Sequence, residues 1–397
     1  MSAIAVTGGV YHERCIWPDW DQIYGSGGRA AAALSGHVDR VTLRAYARAD
    51  TAERFKLYVA TTYGFAFDPV NASQTISFEY VHSLSVPTIR PAPALIRPNT
   101  PIEIKEEVVV RFGMMEGSAR VEADRCVYDP QSAFHPEPFG HNGSGAHHLA
   151  IVANRSEVVA LGKEADLMRS AIALLKDGAE VVVVKMGVSG AVVVDASGTT
   201  AVPAFQTDSV WTIGSGDVFA AVFASAWGVH GMQPVDAARL ASRGVAEYVS
   251  SMALPIPQLT TLSQSSRLEA RATGGRVYLA GPFFTLGQRW LVDEARRSIR
   301  ELGMDVFSPV HDVGPGPAEQ IAPADLAELD RCDAVFAILD GLDSGTLFEV
   351  GYARAHGKPV YALAQTVTEE DLKMVTGSGC AVFDDFVTAL HHLAWRT

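Results

Sequence analysis

The stretch PIPQLTTLSQSSRLEARATGG, residues 255–275, constrains what this chain can fold into more than any other feature. It is polar, rich in Ser and Thr, and closes on Gly274-Gly275, the composition of a linker or of a terminal helix running into a turn. On both sides of it one grammar repeats: short apolar runs alternate with amphipathic stretches. That alternation specifies strands covered by helices, so two α/β units are expected in succession. A chain of 397 residues also exceeds what one hydrophobic core ordinarily organises.

Before the seam, SAIAVTGGVY reads as a strand entering a glycine turn. LAIVAN (149–154), AEVVVVKMG (179–187) and GAVVVDA (190–196) read as further strands, the first two apolar enough for a buried parallel sheet. ADLMRSAIALLKDG is a crossover helix ended by Gly178. Residues 50–135 are Pro- and Thr-rich with weak periodicity, and the sequence assigns no strands there. After the seam, RVYLAGPFF is strand then loop, QRWLVDEARRSIRELG a helix and MDVFSP a strand. PADLAELDRC follows as a helix and DAVFAILD as a buried strand. Next come the helix containing Glu349 and the strand KPVYALA.

Charge narrows the function. A net charge of -13 argues against a nucleic-acid backbone or an anionic membrane as main partner. Cys15, Cys126, Cys332 and Cys380 form no CxxC pair, which suggests neither a zinc knuckle nor a disulfide framework. His147-His148 and His391-His392 lack metal-ligand spacing and read as surface features. With no long apolar run and no signal-peptide pattern at the start, a soluble cytoplasmic protein is expected.

Two places carry chemistry. In TIGSGDVFAAVFASAWG (212–228), Gly214-Ser215-Gly216-Asp217 stands at a turn that opens an apolar helix. Converging backbone N–H groups and the helix dipole suit an anion there, and an aspartate behind such a loop suits proton removal from an attacking hydroxyl. A helix N-terminus with Asp217 near the dipole explains the same residues. In SGTLFEVGYARAHGKP (344–359), Glu349 sits among Leu347, Phe348, Val350 and Tyr352, and a carboxylate in such surroundings is costly without a partner or a task. Thr346-Leu-Phe-Glu349 also fits a capping box. Tyr278, Asp325 (a first-turn acid after Pro323), Asp340 and Asp343 belong to the same passage. Loops at strand C-termini form the ligand crevice of a doubly wound sheet, which gathers Tyr278, Asp343 and Glu349 around one pocket. Paired acidic groups there suit glycosidic cleavage.

The first passage resembles the ribokinase-like (PfkB) carbohydrate and nucleoside kinases over roughly residues 1 to 260. GSGGRAAAAL (25–34) looks like the sugar loop, VANRSEVVALG (152–162) like the N-x-x-E segment, VVVVKMGVSGAVV (181–193) like the V-K-x-G-x-x-G strand pair, and Gly214–Asp217 like G-A-G-D. The resemblance implies Asp217 as base and Gly214, Ser215 and Gly216 as anion hole. It implies Asn154 and Glu157 on the magnesium side, and ATP with Mg2+ as cofactors. Ala30 stands where a sugar-binding Asn is usual, Trp211 where an Asp is usual, and Glu13 loosely where an early substrate aspartate falls.

The second passage resembles the nucleoside 2-deoxyribosyltransferases over about residues 275 to 395, through YLAGPFF and ADLAELDRCDAVFAILDGLDSGTLFEVGYARAHGKPV. That resemblance implies Glu349 as a nucleophile holding the deoxyribosyl group, Asp325 and Asp343 handling the base, and Tyr278 positioning Glu349, with no cofactor. It implies nucleosides or nucleotides and nucleobases as partners, and a homo-oligomer. Asp343 tips the reading towards nucleosides, while TGSGC (376–380) and Arg289 remain candidate phosphate contacts. The expected architecture is a ribokinase-like α/β domain at 1–262, a linker at 263–274 and a smaller doubly wound parallel-sheet domain at 275–397. Two functions stay open for the first domain: a sugar or nucleoside kinase, or a degenerate kinase that binds nucleotide and regulates a nucleotide-depleting second domain.

Overall fold

The computed structural model describes residues 2–132 and 135–396. It divides into two compact units, one running to Thr207 and then over Trp211–Glu269, the other comprising Asp208–Val210 and Ala270–Thr397. Three residues of the first passage therefore belong to the second unit, where the Val210 N–H donates to Thr388 Oγ1 at 3.0 Å.

Strands of the first unit are β1 (Ala3–Thr7), β2 (His12–Trp17), β3 (Trp20–Ile23), β4 (Arg40–Ala47), β5 (Ala66–Asn71), β6 (Ser77–His82), β7 (Thr88–Arg90), β8 (Ile102–Phe112), β9 (Ala119–Asp129), β10 (Gly145–Asn154), β11 (Val181–Lys185), β12 (Ala191–Asp195) and β13 (Gly198–Val202). They make a nine-stranded mixed sheet in the order β13-β12-β11-β10-β9-β8-β1-β4-β5 and a four-stranded sheet in the order β3-β2-β6-β7. The pairings from β11 across to β5 are parallel, and β12 and β13 add an antiparallel edge. The Val181–Val184 run is wholly buried, as a central parallel strand with both faces covered requires. Helices Arg155–Gly162 and Leu167–Lys176 bury Val158, Leu161, Ala171 and Leu174 against Ile151, Val182 and Val184. Burial of each such Val or Leu contributes about 1.5–3 kcal/mol.

The region left unassigned by periodicity supplies β8 and β9, the longest strands of the sheet. Each alternates buried and exposed residues in its first half and is continuously buried in its last four or five. One strand thus mixes two patterns, which erases the periodic signal.

After the two-residue strands β14 (Ala204–Phe205) and β15 (Glu269–Ala270), the second unit contains β16 (Arg276–Ala280), β17 (Asp305–Phe307), β18 (Ala334–Ile338), β19 (Val360–Leu363) and β20 (Ala381–Phe383). All pair in parallel in the order β17-β16-β18-β19-β20. Strand order reverses between β16 and β18, the switch point at which doubly wound sheets open a crevice. Helices Leu286–Glu301, Ala318–Arg331, Ser344–Ala355, Glu369–Gly377 and Phe386–Trp395 accompany the strands.

Two local expectations are corrected. His391 is buried, its Nδ1 2.8 Å from the Val387 carbonyl, and burial pushes its pKa down to about 4. It is a core histidine and not a surface one. TGSGC (376–380) lies at the C-terminal end of helix Glu369–Gly377, where the dipole disfavours an anion, and Arg354 Nε donates to the Ser378 carbonyl. The four cysteines are free and buried. No helix among the described residues is long and apolar enough to cross a membrane.

Candidate active sites

In the second unit, the loops after β16, β17 and β18 surround a cavity of about 880 Å3 whose lining includes Phe283, Arg289, Asp325, Asp343, Phe348 and Glu349. Helix Ser344–Ala355 begins at Asp343, whose Oδ2 accepts the Thr346 N–H at 2.8 Å and the Thr346 hydroxyl at 2.9 Å. Asp343, and not Thr346, is therefore the N-cap, because a carboxylate three residues before a free N–H caps well. Glu349 falls in the second turn, beyond reach of the cap amides, so the capping-box explanation of Glu349 is removed.

Glu349 instead meets Tyr278. That side chain is fully buried on β16, and its hydroxyl donates to Glu349 Oε1 at 2.6 Å. Tyr278 stands behind Glu349 and does not line the cavity, contrary to its placement around the pocket by sequence. Among the described residues no cation forms a salt bridge with Glu349. Burial pushes its pKa up to about 7; the Tyr278 hydrogen bond opposes this, while the Asp325 and Asp343 charges add to it.

Asp325 lies inside helix Ala318–Arg331, which starts before Pro323 and carries that proline in its interior. It is therefore not a first-turn acid stabilised by the dipole. Its side chain is 9% exposed, Oδ1 has no hydrogen-bond partner, and burial raises its pKa. Asp340 is structural: its carboxylate receives the N–H groups of Gln365 and Thr366 at 2.9 and 2.7 Å. Of the two candidate phosphate contacts, Arg289 lines the cavity, with Nε donating to the Phe283 carbonyl at 2.9 Å, and the 376–380 loop does not.

In the first unit, Gly214 takes a left-handed φ of 81° and starts helix Ser215–Phe223, with Asp217 in its first turn. Lys185 forms a short ion pair with Asp129, and its Nζ lies 3.2 Å from where a Cβ on Gly216 would be. Asp129 and Glu157 outweigh the effect of burial on Lys185, so its pKa lies above the ordinary lysine value. Asn154 and Glu157 form a capping box. Asn154 Oδ1 accepts the Glu157 N–H at 3.0 Å and the Ser156 hydroxyl at 2.7 Å, and Glu157 accepts the N–H groups of Asn154 and Ser132. These bonds start the helix and tie Glu157 to Ser132. No group of three or more His, Cys, Asp or Glu able to hold a metal exists among the described residues. The pair thus fits magnesium only through water or nucleotide phosphates.

Asp217 is 5% exposed and both its oxygens are engaged. Oδ2 faces Arg29 Nη1 at 2.8 Å, and Oδ1 makes a short hydrogen bond with Gln131 Nε2. Arg29 is 1% exposed. Besides Asp217 it contacts both carboxylate oxygens of Glu13 and donates from Nε to the Tyr248 hydroxyl at 3.0 Å. A side chain on Gly214 would collide with it. Trp211 is buried and packs on Trp20 with ring centres 5.3 Å apart. Sequence reasoning missed Arg29, Gln131, Asp129 and Lys185. Lys185 lay inside a quoted motif, whereas the Arg29–Asp217 pair spans 188 positions and leaves no local signal.

Residues 277–384 match the family of nucleoside 2-deoxyribosyltransferases, and residues 118–254 match the pfkB family of carbohydrate kinases. Both are enzyme families, so the two recognitions made from motifs hold. Among solved structures the chain is similar to the fructokinase of Vibrio cholerae O395 (16% identity, 66% of this chain and 98% of that one, TM-score 0.49). It is also similar to the ribokinase of Thermotoga maritima (17%, 66% and 98%, 0.45) and the aminoimidazole riboside kinase of Salmonella enterica (15%, 66% and 100%, 0.48). No curated protein matches the chain. The architecture is a ribokinase-like α/β fold with a large mixed sheet and a smaller all-parallel sheet in the C-terminal region.

Proposed function

We propose that the second unit cleaves the N-glycosidic bond of a 2′-deoxynucleoside through a covalent intermediate on Glu349. The observation that carries this reading is a carboxylate lining a large cavity, in no salt bridge among the described residues, with one oxygen held by a buried tyrosine. The free oxygen attacks C1′, the C1′–N bond breaks, and the bonding pair leaves with the base. Asp325, which burial keeps readier to hold a proton, gives that proton to the departing base nitrogen. Water or a second base then attacks C1′ and frees Glu349. Tyr278 positions the carboxylate, and Asp343 shapes the base side while capping the helix. The Asp343 carboxylate beside the cavity favours a nucleoside over its 5′-phosphate. Phe284, Leu286, Trp290 and Phe348 are exposed, and a second copy of the chain covering them accounts for so much bare apolar surface.

Mixing the protein with each deoxynucleoside and each 5′-monophosphate, with and without a second base, tests this by chromatography of free and exchanged base. Release that disappears in Glu349→Ala supports it; no release from any substrate sinks it.

For the first unit the reading is an ATP-binding site at Gly214–Gly216 with Lys185 on the phosphates, magnesium being carried by the nucleotide. ATP supplies a transferable phosphoryl group when bound. Transfer to a sugar or nucleoside hydroxyl requires an accessible Asp217; nucleotide binding that regulates base release does not. The engagement of both Asp217 oxygens favours the second reading.

A further inference from the structure

We infer that Arg29 is a built-in surrogate for the acceptor substrate: its guanidinium occupies the side of Asp217 from which a hydroxyl would have to approach, so the first unit holds its ligand without passing a phosphoryl group to a hydroxyl. The inference rests on the nucleotide reading of that unit only for the identity of the ligand.

Four hydrogen bonds leave the guanidinium, to Tyr248, to each oxygen of Glu13 and to Asp217. Of its five N–H groups at most one remains, so Arg29 is not a substrate-binding arginine waiting for an anion. It lies across the Tyr24 ring at 5.4 Å, and Tyr248 is itself anchored by donating to the Ile213 carbonyl at 2.9 Å. Every residue of its helix, Gly25–Ala33, is buried. On the other side, Gln131 holds the second Asp217 oxygen. A general base needs a lone pair within hydrogen-bond reach of the proton it removes. Lone pairs remain on both Asp217 oxygens, but a cation that cannot be deprotonated holds one and an amide donor the other, and at 5% exposure the carboxylate has almost no open face for a hydroxyl. A hydroxyl acceptor therefore has to displace a buried arginine bound to two carboxylates, and removing one member of such a set is strongly unfavourable.

The two roles of Asp217 differ in the sign of a stability change. Removing a poised catalytic acid ordinarily leaves stability unchanged or raises it. Removing the anion of a buried ion pair lowers it. The test uses the full chain. Thermal unfolding of wild type, Asp217→Asn and Asp217→Ala is measured, and wild type is incubated with ATP, magnesium and a panel of hexoses, pentoses and nucleosides. The expected result is a fall in Tm of about 6 °C or more for Asp217→Ala, a smaller fall for Asp217→Asn, which keeps one acceptor for Arg29, and no phosphorylated acceptor above the blank. Should Asp217→Ala not fold, the Asp217→Asn shift serves as the stability reading. An unchanged or raised Tm in the variants overturns the inference, as does any phosphorylated product that wild type makes and Asp217→Asn makes 100-fold more slowly. Isothermal titration with ATP runs beside these. Absence of binding defeats the nucleotide reading, and the Tm shift still decides the role of Arg29.

Discussion

Asp217 and Glu349 are both acids near the start of helices, the first buried and the second half-buried, and both are marked by family resemblance as reactive. Their surroundings differ in one respect. Asp217 faces a guanidinium and an amide donor that engage both its oxygens, whereas Glu349 faces a neutral hydroxyl on one side and a cavity on the other. A buried carboxylate matched by a cation is a structural element, because its charge is already balanced. A half-buried carboxylate left without a salt bridge carries electrostatic free energy that a developing oxocarbenium ion relieves. Motif spacing alone does not separate the two cases; the partner does.

The contrast breaks most directly at Glu349. Glu349→Ala is expected to lower the rate of base release about 1,000-fold or more with the far-ultraviolet circular dichroism unchanged. Residual activity near wild type would mean another group attacks C1′. At the other acid, Gly214→Ala combines a left-handed backbone with a collision against Arg29, and a loss of about 3 kcal/mol or more is expected in urea unfolding.

Glu349→Gln sharpens the comparison by running the opposite way. The folded-state pKa of Glu349 is raised from 4.5 to about 7, so its proton favours the folded state. That contribution is complete below about pH 4.5 and is lost as pH rises through 7. The neutral glutamine is then expected to stabilise the protein by about 1–3 kcal/mol at pH 8 and by little at pH 4, as urea midpoints at the two pH values will report. Tyr278→Phe has the smallest expected effect, a 10- to 100-fold fall in kcat at roughly neutral pH. Because the lost hydrogen bond had opposed the rise in the Glu349 pKa, the acid limb of the pH–rate profile, expected near pH 7 in wild type, moves to higher pH. A limb that stays in place would leave Tyr278 with a packing role alone.

The α/β grammar, the division into two parts and the crossover helices were legible because apolar runs and glycine stops are local signals. The start of the helix at 344 was misjudged by a few residues, since Asp343 and Thr346 are both acceptable caps and only the packed helix selects between them. Pro323 read as a helix start because proline favours a first turn, yet here it sits inside Ala318–Arg331. The hydroxyl bond from Tyr278 to Glu349 bridges 71 positions and the Arg29–Asp217 pair 188, and composition and periodicity carry no trace of either. Glu349 was found through a long ordered motif. Arg29 lies before the stretch matched to the kinase family, which begins at residue 118, and sat unnoticed inside a glycine-rich motif read for its glycines and for Ala30.

The interlock of Arg29 with Gly214 also limits the sequences that single changes can reach. Loss of Arg29 alone leaves Glu13 and Asp217 as two facing buried carboxylates, loss of Asp217 alone leaves Arg29 with one charged partner fewer, and any side chain at 214 meets the arginine. Each one-step neighbour is less stable than the present chain, so positions 13, 29, 214 and 217 form a ratchet. Relatives that differ at one of the four are expected to differ at the others, and a relative that keeps Asp217 without Arg29 is the one in which to look for a working kinase.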